Sequence, residues 1–104
     1  MINGLIESRD EFFRILAATT AEVDALSARE PAYPVWGNLQ RQLHAMAQWS
    51  AQGDPTPEER AKISIGLIAA RELEPPTSPA MGDLINRLHV LNYGWNHWPP
   101  HGGP

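Results

Sequence analysis

A chain of 104 residues fits one domain of ordinary size, and 42% hydrophobic against 19% charged residues is the composition of a globular protein rather than a disordered or collagen-like one. Twelve acidic against eight basic residues give a net charge of -4, which repels a phosphate backbone and argues against nucleic acid as a partner. With no cysteine, a disulfide framework, a thiolate metal site and a cysteine nucleophile are all excluded.

The stretch from Ile2 to Glu7 lacks the basic and long apolar regions of a signal peptide. No window approaches the ~20 apolar residues of a membrane-spanning helix. The expectation is a soluble protein of the cytoplasm with no membrane role.

Ser8 followed by Glu11 is a capping-box pair, and it predicts a first helix from about Arg9 to Ser27. Phe12, Leu16, Val23 and Leu26, with Phe13 and Thr20 beside them, form its apolar face. Pro31 and Pro34 then stop the helix, because the residue before a proline is pushed away from helical geometry. A second helix follows from about Val35 to Gln52, with Trp36, Leu39, Leu43 and Met46 on one face and Trp49 at its edge. Gly53 suits a left-handed terminator.

Thr56-Pro57-Glu58-Glu59 combines a threonine cap, a first-turn proline and a capping-box glutamate. It predicts a third helix running through Ile63, Ile65, Leu67, Ile68, Ala69 and Ala70 to about Leu73, apolar on more than one side and so central to a bundle. Pro75 and Pro76 end it. Ser78-Pro79 repeats the cap, and Met81, Leu84, Ile85, Leu88, Leu91 and Trp95 make a regular stripe on a fourth helix that frays near His97.

Four helices on short connections predict a small all-α, up-and-down bundle. It forms a single helical domain over residues 1–98, with a disordered Pro/Gly tail over residues 99–104.

No constellation for catalysis stands out. His97 and His101 have the spacing of a zinc pair on a helix, but Pro99 and Pro100 forbid that helix. His44 and His89 sit beside core leucines and read as boundary residues. Glu58 and Glu59 are explained by the helix start they complete. No glycine-rich phosphate loop, nucleophile elbow or metal-ligand cluster is present, so neither an enzyme, a metal nor a cofactor is expected.

Glu72 and Glu74 are different, because acidic groups near a helix C-terminus oppose its dipole and gain nothing locally. Contact with a basic partner would explain them, although Arg71 beside them also offers compensation. Trp is enriched at interface hot spots. Trp36 and Trp95 fall on core stripes, whereas Trp49 and Trp98 lie at helix edges or beyond. Glu72, Glu74, Trp49 and Trp98 are therefore the candidate partner-binding residues. Gly66 inside a helix points to another backbone passing close by.

The runs Pro31-Ala-Tyr33, Gln40-Arg-Gln-Leu43 and Gly66-Leu-Ile-Ala-Ala-Arg-Glu-Leu73 resemble the Tsi-type immunity proteins of bacterial type VI secretion. The likeness spans roughly Pro31 to Trp95. It implies a bacterial cytoplasmic immunity protein that catalyses nothing itself. Its role would be to bind the toxin domain of a cognate effector, an NAD(P)+-hydrolysing one in that family, and occlude the active site. A homodimer before binding is compatible with this reading. The competing function is a helical adaptor or regulatory subunit docking on a cellular protein complex. A small enzyme or carrier would need polar groups pointing into the bundle, and the stripes supply none.

Overall fold

The computed structural model describes Ile6 and residues 8–97. Within them the protein is helical, with no strand among the described residues. Helix α1 spans Arg9–Arg29, α2 Pro34–Ala51, α3 Pro57–Ala61, α4 Ile65–Ile68 and α5 Pro79–Asn96. A π-helical turn, Ala69–Leu73, extends α4. The tail expected to be disordered, with Trp98 and His101, lies outside the described residues.

The starts of three helices follow from the local sequence. Ser8 Oγ accepts the amide of Glu11 at 3.0 Å, and Ser78 Oγ accepts that of Met81 at 3.1 Å. Thr56 makes the full reciprocal box: its Oγ1 accepts the Glu59 amide at 3.1 Å, and its own amide donates to Glu59 Oε1 at 2.9 Å. Each bond satisfies a first-turn amide that has no partner within the helix. Gly53, just past α2, adopts φ 133°, which a side chain would resist.

The helices close a ring in which α1 packs on α2, α2 on α4, α4 on α5 and α5 back on α1. This is an up-and-down bundle of four helical stretches whose third stretch is broken. The core holds Phe12, Leu16, Val23, Leu39, Leu43, Met46, Leu84, Leu88, Leu91 and Trp95, all from the predicted stripes. Trp95 lies between Phe12 and Trp49, each ring 6.3 Å away and stacked, and its Nε1 donates to the Glu59 carbonyl at 3.1 Å. That bond ties α3 to α5.

The third stretch departs from the single central helix expected. It breaks at Lys62–Ser64, and the break lets both Ile63 and Ile65 turn inward. On one continuous helix, residues two apart would point to nearly opposite sides. α5 is instead the central element, packed against α1, α3, α4 and the π-helical turn.

Ser64 makes no side-chain cap for α4. Its amide donates to Gln42 Oε1 of α2 at 2.7 Å, and the Gly66 amide donates to Asn92 Oδ1 of α5 at 2.8 Å. The start of α4 is thus capped by its neighbours. A Cβ on Gly66 would lie 3.2 Å from the Asn92 Cβ, so what comes close at this glycine is the side chains of Asn92 and His89 of α5, within the bundle, rather than another backbone.

A candidate protein-binding surface

Two grooves flank α2. The first, of about 420 Å³, lies between the start of α2 and α4, lined by Pro34, Val35, Asn38, Ser64, Leu67, Ile68, Arg71 and Glu72. Leu67 is 55% exposed, although its place in an apolar run had marked it as core. The signal was in the spacing. Ile65, Ala69 and Leu73 share one buried face, which leaves Leu67 on the opposite side. Tyr33 stands beside this groove, 37% exposed, its ring edge-on to Trp36 at 5.6 Å and its hydroxyl donating to the Glu72 carbonyl at 3.3 Å. Trp36 is buried, with Nε1 donating to Glu30 at 2.7 Å.

Here an exposed leucine and tyrosine sit within a polar rim carrying Arg71 and Glu72. Neither charged side chain forms an ion pair among the described residues. Apolar groups ringed by charges that have no internal partner are the ordinary chemistry of a recognition surface.

The second groove, of about 590 Å³, runs between α1 and α2, lined by Ala17, Ala21, Ala47 and Ala51 together with Phe13, Leu16, Thr20, Asp24 and Ser50. Asp24 lies on its border. The ring of His44 and the amide of Gln40 donate to Asp24 Oδ1 at 2.9 and 2.8 Å, and these bonds hold its carboxyl below the usual 3.8. Burial of the group opposes the shift only in part. Thr20 Oγ1, also in this groove, is shielded and bonded to nothing among the described residues.

The four candidate partner-binding residues are not brought together. Glu72 lines the first groove. Glu74 is near it in sequence but pairs with His89 of α5 at 2.8 Å, so the local gain thought missing is present. Trp49 is half-buried against Trp95, with the Lys62 ammonium 5.9 Å above its ring. It belongs to the bundle more than to its surface. Trp49 also lies about 24 Å of helix from Tyr33, at ~1.5 Å per residue. Trp98 lies outside the described residues. Sequence reading missed Leu67 and Tyr33.

The remaining polar clusters are structural. Arg87 of α5, nearly buried, donates to Thr19 and Glu22 of α1 and to Asp83 one turn before it. His97 stacks on Tyr93 at 3.9 Å. Among the described residues no group of three or more His, Cys, Asp or Glu is placed to hold a metal, and no helix is long and apolar enough to cross a membrane.

The model of one protein family, Tsi6, matches residues 10–96. The match takes in α1 as well as the Pro31–Trp95 region. No curated protein and no solved structure matches the chain. With that match running through every helix of the bundle, the chain belongs to the Tsi6 family of type VI secretion immunity proteins.

Proposed function

We propose that the protein protects its producing cell by binding the toxin domain of a cognate type VI effector and blocking its active site, and that this effector consumes NAD(P)+. The observation that carries the reading is the family match over residues 10–96. Membership implies an effector protein as partner and a non-enzymatic role. The resemblance of the Gly66–Leu73 run to the Tsi-type pattern supports the NAD(P)+-consuming partner.

The toxin meets the Tyr33–Leu67–Glu72 face. Leu67 supplies the exposed apolar anchor, and Glu72 pairs with a basic group at the mouth of the toxin site. A carboxylate there competes for cations that would otherwise hold the substrate's phosphates.

The test is co-expression with the toxin domain encoded by the adjacent effector gene. Cells should survive with the protein present, the purified pair should form a complex, and the toxin's NAD(P)+ turnover should stop on titration. Survival that does not depend on this protein rejects the immunity reading. Protection from a toxin that leaves NAD(P)+ intact rejects only the substrate.

A further inference from the structure

The α1–α2 groove is the larger of the two and the more apolar, yet the proposed toxin face does not include it. Helix α2 gives Pro34, Val35 and Asn38 to one groove and Ala47, Ser50 and Ala51 to the other. At ~100° per residue these two sets lie roughly half a turn apart, so the grooves face opposite sides of α2. A second occupant can sit without touching the first.

We propose that the α1–α2 groove is the self-association surface of the protein, filled by α1 of a second copy running antiparallel across a two-fold axis. The positions α1 contributes to the groove, from Phe13 to Asp24, map onto themselves when the helix is reversed: 13 exchanges with 24, 16 with 21 and 17 with 20. A two-fold interface requires that the same patch serve both sides. At its centre are Ala17, Thr20 and Ala21, small enough for two helices to approach at the short end of the usual ~8–10 Å.

Charge selects the same arrangement. Asp24 is kept ionised, and among the described residues no arginine or lysine pairs with it. Arg14 is exposed beside the groove and forms no ion pair among the described residues. With 13 opposite 24, Arg14 of each copy comes alongside Asp24 of the other, and the pairing is made twice.

The area is also adequate. α1 has 21 residues, or ~31 Å, and two adjacent helices are ~20 Å wide, a footprint of roughly 600 Å² per copy. That is the low end for a specific interface.

Sedimentation of the full chain from low micromolar to near-millimolar concentration tests this. A monomer–dimer equilibrium is expected. Ala21→Arg should abolish it while circular dichroism and melting stay unchanged. Arg14→Glu should weaken it roughly tenfold, and adding Asp24→Arg in the same chain should restore it, with melting followed because Asp24 also bonds His44 and Gln40. A monomer throughout overturns the proposal, as does a dimer indifferent to Ala21→Arg. If Ala21→Arg instead weakens toxin binding with no change in oligomeric state, the groove belongs to the effector and the dimer is rejected.

Discussion

The amide of Gly66 donates to the side-chain oxygen of Asn92 at 2.8 Å, across 26 residues of sequence and between α4 and α5. A first-turn amide with no partner in its own helix is thereby satisfied by a side chain from another. Asn92→Ala leaves this partly buried donor unmade and should destabilise the fold by about 1–3 kcal/mol, read by urea denaturation. An unchanged midpoint would mean that water replaces the bond without loss. Gln42→Ala, which removes the acceptor for Ser64, should act in the same direction, and the two losses should be non-additive because both caps hold one short helix.

Trp95 joins three elements through its two stacked neighbours and the bond to the Glu59 carbonyl. Trp95→Ala should cost about 3–5 kcal/mol through the cavity it leaves. Trp95→Phe keeps much of the packing and removes the bond to α3. Hydrogen exchange of the α3 amides should then quicken relative to those of α1; uniform exchange across the bundle would contradict the tie.

Arg87 is held by Glu22 and Thr19 of α1. Arg87→Ala should destabilise by about 1–3 kcal/mol, because it removes charge-assisted bonds and the aliphatic packing of the stem together. Thermal melting measures it, and a loss near zero would show the cluster to be solvent-like.

Asp24 titrates below 3.8 in the folded protein because His44 and Gln40 bond its ionised form. The unfolded value is the higher one. The contribution is therefore complete above the unfolded pKa and is lost as pH falls through the lower, folded pKa. Following the Asp24 carboxyl by NMR, His44→Ala should move its midpoint up toward 3.8; no movement would remove His44 as the cause.

On the proposed toxin face, Leu67→Arg and Glu72→Lys alter exposed side chains and should change stability by no more than ~0.5 kcal/mol. Each should weaken toxin binding by roughly tenfold or more, measured by calorimetry. Normal affinity in both variants would move the interface elsewhere. Trp49→Phe, a change in a half-buried ring, should affect melting before it affects binding.

The sequence alone determined the helices that begin with their own caps. Ser8, Thr56 and Ser78 each bond an amide three residues ahead, a relation too local for packing to overrule, and the stripes of α1, α2 and α5 are buried except at Phe13, which is 38% exposed at the edge of its face, and Met81, which is half-buried. Only the tertiary structure decided what happens between Lys62 and Leu73. There the caps come from Gln42 and Asn92, which are distant in sequence, and the apolar run supplies more greasy residues than one face can hold. The chain breaks to bury Ile63 with Ile65 and leaves Leu67 in water. The same logic separates the candidate residues: a carboxylate or an indole reads alike in sequence whether a neighbour claims it or not. Glu74, although exposed, is claimed by His89 within the chain, Trp49 is half-buried against Trp95, and Glu72 is left on the surface without an ion-pair partner among the described residues.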